Sequence, residues 1–304
     1  MNGVIYADDL EPIVGPAWSQ EQIGARTPHA VTIAVADSEI TVRFDDARCA
    51  ALFSERYADQ QVGGPAPLVH YVVHTTTGYL FWSPGGVAWT WARGRLGAGA
   101  VAFLADATAI TALINSSPHL LTFHAAAVAI QGVAAAIAGD SGAGKTTSAI
   151  ACARRGMGLY SDELCVLRGG KVMPFARTLH IRTGGLQLLA LDAIDGELMP
   201  VRDGVNVRIS TLFGWRAIPP PAPLRAVFLL SGREEHPELR RVAWFDVAPA
   251  LIRSMESNDA TPLQRIARVL AVLREVECFR LVLGPPDETA LLVRRTLCAL
   301  ESCG

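Results

Sequence analysis

Alternation of apolar and polar residues dominates the first third of the chain and predicts β-structure there. Two segments, VTIAVADSEITVRF from Val31 and PLVHYVVHTTTGYLFWSPGGVAWTWA from Pro67, alternate β-branched or aromatic residues with polar ones. We interpret residues 31–91 as a small, mostly antiparallel β region. A helical pattern follows over residues 100–117. The sequence therefore predicts a β-rich N-terminal accessory or recognition region over residues 1–118 and a second domain over residues 119–304.

The second domain begins with two short apolar runs that predict a tight hairpin. Residues 125–130 and 133–138 are separated only by Gln131 and Gly132, which is the two-residue spacing of such a turn. The second run leads directly into a glycine-rich segment, and residues 147–155 then have a helical pattern. Residues 158–167 predict a further strand with polar residues at its middle.

The rest of the second domain alternates strand and helix patterns. Short apolar runs predict buried strands, and segments of helical periodicity separate them. The strands are predicted at residues 226–230 and 279–283, and the helices at residues 247–256, 262–276 and 288–301. This alternation predicts an α/β or α+β domain.

Composition and charge narrow the range of partners. Half of the 304 residues are apolar, which suffices for a globular core. The formal net charge is −2, so the chain has no broad basic field for a polyanion or an acidic membrane surface. We therefore expect neither nucleic acid nor a membrane as a partner.

Three further features predict a cytoplasmic protein. The most apolar stretch, residues 121–138, is mostly alanine and is interrupted by polar residues, so we interpret it as buried strands and not as a bilayer span. The N-terminal sequence MNGVIYADDLEP lacks the basic region and the apolar region of a signal peptide. The six cysteines form no CxxC pair, which favours reduced thiols.

The glycine-rich segment GDSGAGKT matches the phosphate-binding pattern GxxxxGK[ST] without a mismatch, between an apolar strand and a helix. Its glycines permit positive φ, so successive N–H groups can surround phosphates at the start of the helix. Lys145 would reach the β- and γ-phosphates, and the Thr146 hydroxyl would be a ligand for Mg²⁺. The sequence thus predicts ATP and Mg²⁺ as cofactors. The predicted nucleotide contacts are Gly139, Asp140, Ser141, Gly142, Ala143, Gly144, Lys145, Thr146 and Thr147.

The region around this loop resembles a known family of kinases. The segment HAAAVAIQGVAAAIAGDSGAGKTTSAIACARRGMGLYSDELCVL, which begins at His124, is similar to the catalytic domain of HPr kinase/phosphorylase and its relatives, including serine kinases found with lasso-peptide biosynthesis. In that family a histidine opens the hairpin, the phosphate loop follows, and a strand ends in an acidic pair. Here Asp162 and Glu163 stand at the position of that pair. The resemblance implies a phosphoenolpyruvate-carboxykinase/HPr-kinase-like fold for residues 119–304.

The resemblance also implies roles for the acidic pair and the histidine. Asp162 would be the general base that takes the proton of the substrate hydroxyl, and Glu163 would help to hold Mg²⁺. His124 would lie near the γ-phosphate or the acidic pair, with an ordinary core histidine as the alternative. A strand–loop–helix–strand unit returns its second strand beside the first, which would bring Asp162 to the phosphates. Along a strand the two acids point to opposite faces, so we expect them to have separate roles.

A fainter resemblance covers residues 179–186. The sequence LHIRTGGL is similar to the signature segment of HPr kinase, in which a glutamate precedes Ile-Arg. His180 stands in place of that glutamate, so no metal role is carried over to it. Arg182 is a candidate phosphate contact, with an ordinary surface arginine as the alternative, and the case for Arg177 is weaker.

These residues favour an ATP-dependent serine kinase that acts on a peptide or small protein, such as the precursor of a ribosomally made natural product. Asp162 would activate the serine hydroxyl, while Lys145, the loop amides and Mg²⁺ would neutralise the developing charge. Two alternatives stay open: a small-molecule kinase of the same fold, and a nucleotide-gated binding module without catalysis. Only Lys145 and Lys171 supply lysine, which disfavours a small anionic substrate. HPr kinases form hexamers, so a homo-oligomer stays open as well.

Overall fold

The computed structural model describes residues 10–13, 18–60, 64–86, 88–92, 94–191, 199–201, 204–214, 218–256 and 261–301. Over these residues the chain has a mixed α/β fold with nine helices and three sheets, as the alternation of patterns predicts. It divides into two compact units, Met1–Pro118 and His119–Gly304. The segment MNGVIYADD, on which much of the expectation about a signal peptide rests, lies outside the described residues.

The N-terminal unit contains one six-stranded sheet and three helices in its described part. In chain order the elements are β1 (Glu11–Ile13), α1 (Gln20–Arg26), β2 (His29–Val35), β3 (Ser38–Phe44), α2 (Ala47–Arg56), β4 (Leu68–His74), β5 (Tyr79–Trp82), β6 (Ala88–Trp91) and α3 (Ala98–Asn115). The strand order is β1-β6-β5-β4-β3-β2, and every neighbouring pair is antiparallel except β3 and β4. The prediction of a mostly antiparallel β region is confirmed.

Two short helices of this unit, α1 and α2, were not predicted from the apolar pattern. Ser19 begins α1 with a reciprocal cap, in which its hydroxyl accepts the Gln22 N–H and the Gln22 side chain accepts the Ser19 N–H. Asp46 begins α2 by accepting the N–H groups of Arg48 and Cys49. These polar caps are the sequence signal for both helices, because they satisfy N–H groups that have no partner within a helix.

Helix α3 alone, among the helices of the described residues, is long and apolar enough by composition to cross a membrane. It packs within its own unit, against α2 and strands β3, β4 and β5, and most of its residues are buried. Its buried Asp106 accepts hydrogen bonds from Arg56 and Tyr57 of this unit. These contacts are those of a core helix.

The C-terminal unit contains twelve strands and six helices among the described residues. In chain order they are β7 (Leu121–Phe123), β8 (Ala126–Ile130), β9 (Val133–Ala138), α4 (Lys145–Arg154), β10 (Gly158–Ser161), β11 (Cys165–Arg168), β12 (Lys171–Met173), β13 (Leu179–Arg182), α5 (Thr183–Leu188), β14 (Met199–Val201), β15 (Gly204–Val207), α6 (Ile209–Phe213), β16 (Ala222–Arg233), β17 (Glu238–Arg241), α7 (Trp244–Ser254), α8 (Pro262–Leu273), β18 (Glu277–Leu283) and α9 (Pro286–Glu301).

The central part of the large sheet in this unit runs in the order β10-β8-β9-β16-β18-β17. Strands β9, β16 and β18 are parallel, and β8 is antiparallel to both of its neighbours, so β10 also runs parallel to β9. Strands β12, β11 and β7 extend from the first residues of β16, and β13, β15 and β14 form a separate small sheet. The carboxyl ends of β9, β10, β16 and β18 therefore lie at one edge of the central sheet.

The predicted tight hairpin is confirmed, because β8 and β9 are antiparallel neighbours joined by Gln131 and Gly132. Both turn residues have positive φ, 51° and 80°, as a type I′ turn requires. The predicted position of the next strand is wrong, since β10 pairs with β8 and not with β9. One side of β9 is occupied by its hairpin partner and the other by β16, so neither side is left for β10.

Helices cover both faces of the central sheet. Successive residues of β9 enter two different cores: the core with α4 and α9 contains Val133, Ala135 and Ile137, and the core with α7 and α8 contains Ala134, Ala136 and Ala138. Because both faces are buried, the strand is apolar throughout and does not alternate. The apolar run that precedes the glycine-rich loop is thus a fully buried central strand.

Replacing Leu281 with alanine is expected to lower the free energy of unfolding by about 2–5 kcal/mol, because this side chain of β18 is fully buried in the core that contains α4 and α9. The matched control is Leu263→Ala, since Leu263 on α8 is 79% exposed and its loss should change stability by about 0.5 kcal/mol or less. Urea denaturation followed by circular dichroism measures both variants. Equal losses of stability would contradict this packing.

Candidate functional site

Four segments of the C-terminal unit meet at the edge where the parallel strands end. Residues 139–144, here called the phosphate loop, follow β9, while Asp162 follows β10 and Arg233 ends β16. His124 precedes β8, whose start lies at the same edge because β8 is antiparallel to β9. Ligands of open α/β sheets bind beyond the carboxyl ends of the strands. This edge is therefore the candidate functional site.

The backbone conformation of the phosphate loop depends on its last glycine, Gly144. Gly144 has a φ of 108°, in the left-handed region, and a Cβ atom there would lie 2.7 Å from Leu283 Cδ1 at the end of β18. Gly144 is also the N-cap of α4, and no side chain caps this helix. The N–H groups of the first turn can therefore bind an anion, and the helix dipole favours one there. This backbone suits a phosphate group.

Lys145, the first residue of α4, is buried against the phosphate loop. Its Nζ atom donates hydrogen bonds to the carbonyl oxygens of Gly139, at 2.9 Å, and Asp140, at 3.1 Å. Burial lowers the pKa of the ammonium group, whereas the carboxylates of Glu163, Asp140 and Asp162 raise it. The side chain thus returns to the first residues of the loop and places its positive charge there.

The acidic pair lies in a turn and not on a strand, which corrects the prediction from the sequence. Residues 158–167 form two strands, β10 and β11, with Asp162 and Glu163 between them. The Ser161 hydroxyl accepts hydrogen bonds from the N–H groups of Glu163, at 3.3 Å, and Leu164, at 3.1 Å. Such a bond from a serine side chain competes with the sheet for backbone N–H groups and so breaks the strand.

Asp162 joins the end of β10 to the start of α4. Its Oδ2 atom accepts a hydrogen bond from the Thr146 hydroxyl at 3.0 Å, and the residue is only 3% exposed. Burial raises the pKa of Asp162 to about 6, and the Glu163 carboxylate adds to this effect, while Arg177 and the Thr146 hydrogen bond oppose it. A carboxylate with this pKa is ionised at neutral pH and is a stronger base than an exposed one.

Glu163, the predicted magnesium ligand, forms an ion pair with Arg177. The Arg177 side chain is mostly buried, and its guanidinium carbon lies 5.5 Å from the centre of the Phe175 ring. The sequence alone gives little support for a role of Arg177, because its partner is 14 residues away and no motif joins the two. Arg177 therefore belongs to the site through the acidic pair.

The oxygen atoms beside the phosphate loop fit a magnesium ion that arrives with a nucleotide. The Thr146 hydroxyl and the Asp162 carboxylate are neighbours at the start of α4. Mg²⁺ prefers oxygen ligands and is commonly bound by one or two protein groups together with phosphates and waters. No group of three or more His, Cys, Asp or Glu side chains in the described part of the chain could hold a metal ion by itself. The phosphates would have to complete such a site.

His124 lies in the short segment between β7 and β8 and is half-buried. Its backbone N–H donates a hydrogen bond to the carbonyl oxygen of Ser254 at 2.6 Å, which ties this segment to the end of α7. Burial lowers the pKa of the imidazole; Lys145 and Arg177 lower it further, and Glu163 raises it. The neutral form of His124 is therefore favoured at neutral pH.

Two arginines lie beside the phosphate loop. Arg182, at the end of β13, has its Nη1 atom 3.6 Å from the place where a Cβ atom of Gly142 would lie. Arg233, at the end of β16, has its Nη2 atom 3.7 Å from the corresponding place at Gly144. Arg233 was not predicted, although its position directly after a buried parallel strand is a signal for a functional residue. Both side chains can therefore reach an anion held by the loop.

Residues of the phosphate loop, the acidic pair and the two arginines line a cavity of about 360 Å³, here called the first cavity. The predicted site residues that line it are His124, Ser141, Gly142, Gly144, Lys145, Thr146, Thr147, Asp162, Glu163 and Arg182. The predicted residues Gly139, Asp140 and Ala143 do not. Residues of β13 and α5 and Arg233 complete the lining. Three cationic side chains face two carboxylates here, so the first cavity favours an anion.

No protein-family model matches the chain. No curated protein matches it either. Among solved structures, the chain is similar to the Hpr(Ser) kinase/phosphatase from Coxiella burnetii, with 14% sequence identity and a TM-score of 0.33, over 59% of this chain and 98% of that chain. This is a distant structural relationship.

Replacing Gly144 with alanine is expected to weaken MgATP binding by about tenfold or more, because the positive φ and the contact with Leu283 would displace the phosphate loop. Gly132→Ala is the matched control: Gly132 also has positive φ, but no atom lies within 4 Å of the place of its Cβ, and it lies in the hairpin turn. Titration calorimetry measures the affinity of both variants. Equal affinities for the two variants would contradict a binding role for the loop.

Asp162→Asn is expected to raise the Tm of the free protein at about pH 8. Since the pKa of this buried carboxyl rises from 3.8 to about 6 on folding, the folded protein binds the proton more tightly than the unfolded chain. The contribution of Asp162 to stability is therefore greatest below about pH 4 and is lost as the pH rises through about 6. The variant should gain stability at about pH 8 and none at about pH 4.

Scanning calorimetry at both pH values measures this difference. The control is Asp287→Asn, which makes the same chemical change at an exposed ion pair with Arg155. A change in Tm that is the same at both pH values for Asp162→Asn would contradict the raised pKa.

Proposed function

We propose that this chain is an ATP-dependent serine kinase that transfers the γ-phosphate of MgATP to a hydroxyl group of a peptide or small protein. The observation that carries the proposal is the position of Asp162. Its buried carboxylate has a raised pKa and is hydrogen-bonded to Thr146 in the first turn of the helix that follows the phosphate loop. A general base for phosphoryl transfer needs such a pKa and such a place beside the phosphates.

In this proposal the loop backbone and three cationic side chains bind the triphosphate. The uncapped N–H groups at the start of α4 lie in the same cavity as Lys145, Arg182 and Arg233. Arginine matches phosphate geometry because its planar fork can donate two parallel hydrogen bonds. Fixed donors of this kind stabilise the charge that moves to the leaving group in the transition state.

Thr146 would hold Mg²⁺ together with the phosphates and waters, and the Asp162 carboxylate would not bind the ion, so that it can act as the base. When bound, the ion neutralises part of the phosphate charge. The hydrogen bond between the two side chains keeps both oxygen atoms at the first turn of α4. Glu163, in its ion pair with Arg177, contributes through its charge, because its carboxylate helps to raise the pKa of Asp162.

The transfer step needs one base and one leaving group. The serine hydroxyl gives its proton to the Asp162 carboxylate as its oxygen forms a bond to the γ-phosphorus. The bond from that phosphorus to the bridging oxygen breaks, and ADP leaves with the electron pair. Asp162 then returns its proton to water, since its pKa of about 6 lies below neutral pH.

The choice of a peptide acceptor rests on the resemblance of residues 124–167 to the serine kinases related to HPr kinase, some of which accompany natural-product precursors. We also propose a cytoplasmic protein without a nucleic-acid or membrane partner, in keeping with the net charge of −2. The competing binding module would take up ATP without transferring phosphate.

Asp162→Asn is expected to lower phosphate transfer by roughly 10²–10⁴-fold, because it removes the general base, while MgATP still binds. Transfer from labelled ATP to a mixture of serine peptides, and ADP release in their absence, measure the chemistry; calorimetry measures binding. The control is again Asp287→Asn, whose side chain is exposed on α9. Phosphate transfer by Asp162→Asn at the wild-type rate would contradict this mechanism. ATP binding by the wild type without any phosphate transfer would favour the binding module.

A further inference from the structure

A second cavity, of about 540 Å³, lies against the phosphate loop. Its lining includes the first loop residues, Gly139, Asp140 and Ser141, together with one side of α7. His124 and Ser141 line both cavities. The two cavities are therefore neighbours that share the loop, and all of their lining residues belong to the C-terminal unit.

The side of α7 that faces the second cavity is well defined. Asp246, Pro249, Ala250 and Arg253 line the cavity and recur at i, i+3, i+4 and i+7, which is one face of a helix. The opposite face carries Val247, Ala248 and Leu251, which are buried in the core beneath the sheet. The helix is therefore held in place by its buried face, and it presents two charged side chains, Asp246 and Arg253, to the cavity.

The end of α7 is also fixed. Met255 forms a β-bridge with Phe123, and the Glu256 N–H donates a hydrogen bond to the Thr122 carbonyl oxygen at 3.0 Å. The Ser254 carbonyl oxygen accepts the His124 N–H, as described above. These backbone contacts place Glu256 and His124 side by side in the lining, so the second cavity has a rigid border at the point where it meets the first.

The charges of the two cavities are opposite in sign. The second cavity is lined by three carboxylates, those of Asp140, Asp246 and Glu256, against one arginine, Arg253. Neither Asp246 nor Glu256 forms an ion pair with another residue of the described chain. Burial raises the pKa of Glu256, and the Glu163 carboxylate raises it further against the effect of Arg177. Glu256 is partly buried and forms no ion pair with Arg177, so a positively charged ligand beside it would lower the cost of burying its carboxylate.

Lys145 shows which end of the triphosphate would lie toward the second cavity. In a loop of this pattern the lysine reaches the β- and γ-phosphates. Here its Nζ atom is bonded to the carbonyl oxygens of Gly139 and Asp140, and both of these residues line the second cavity. The terminal phosphate would therefore lie toward the place where the two cavities meet. A hydroxyl of an acceptor bound in the second cavity would attack it there and give its proton to Asp162, which lines the first cavity.

We infer that the second cavity binds the acceptor, and that Asp246 and Glu256 select a peptide segment in which basic residues flank the serine. This inference rests on the proposed kinase function and specifies its substrate class. An acceptor with carboxylate or phosphate groups near its hydroxyl is disfavoured, because it would meet like charges. The positive charge of Arg253, which also lines this cavity, should weaken the preference for basic residues.

The test uses three serine peptides of equal length in which the flanking residues are lysine, glutamine or glutamate. With MgATP, the wild-type chain is expected to phosphorylate the lysine peptide with a kcat/KM about tenfold or more above that of the glutamate peptide. Asp246→Asn combined with Glu256→Gln should reduce this ratio to about threefold or less, and Arg253→Gln should increase it. Asp246→Asn alone should reduce the ratio in part. Because Asp246 is exposed, this substitution is not expected to disturb folding.

Asp287→Asn combined with Glu288→Gln is the matched control, because it removes the same two charges from the surface of α9. Calorimetry with a non-hydrolysable ATP analogue and peptides carrying alanine in place of serine measures acceptor binding apart from transfer. Equal binding or equal phosphorylation of the lysine and glutamate peptides by the wild type would overturn the inference, as would a ratio unchanged in the double variant. Absence of MgATP binding would instead overturn the proposed kinase function.

Discussion

The hydrogen bond from Thr146 to Asp162 joins the two parts of the chain that define the candidate site. Thr146 belongs to the first turn of α4, and Asp162 belongs to the turn after β10. They meet because β10 runs parallel to β9, so that both strands end at the same edge of the sheet. The contact keeps a carboxylate buried beside a loop suited to phosphate, and burial raises its pKa.

Burying charged side chains at this edge of the sheet costs free energy, and packing of the surrounding apolar core offsets that cost. Lys145, Asp162 and Arg177 are all buried, and each is stabilised by carbonyl oxygens, a hydroxyl group or an opposite charge. The helices on both faces of the central sheet supply a large apolar core that holds these groups in place. Functional sites commonly contain such perturbed groups, because chemistry needs charges in an environment that water does not fully screen.

The two cavities differ in the charge of the side chains that line them. Cationic side chains dominate the first cavity, which suits a triphosphate, and carboxylates dominate the second, which suits a basic segment. His124 and Ser141 lie where the cavities meet. The Lys145 ammonium group donates hydrogen bonds to loop residues that line the second cavity. In the proposed kinase, this arrangement would bring the terminal phosphate and the acceptor hydroxyl together, and each ligand would be held by charges of opposite sign.

The sequence by itself determined the features that depend on neighbouring residues: the turn at Gln131 and Gly132, the buried strand before the loop, the loop pattern and the helix after it. A local pattern specifies backbone conformation, because sterics and burial act over a few residues. Only the tertiary structure decided that β8 separates β9 from β10, since that depends on which strand edges remain available. It also decided that Arg177 pairs with Glu163 and that Arg233 and Glu256 border the cavities. Those contacts join residues distant in sequence, and the packing of the sheet creates them.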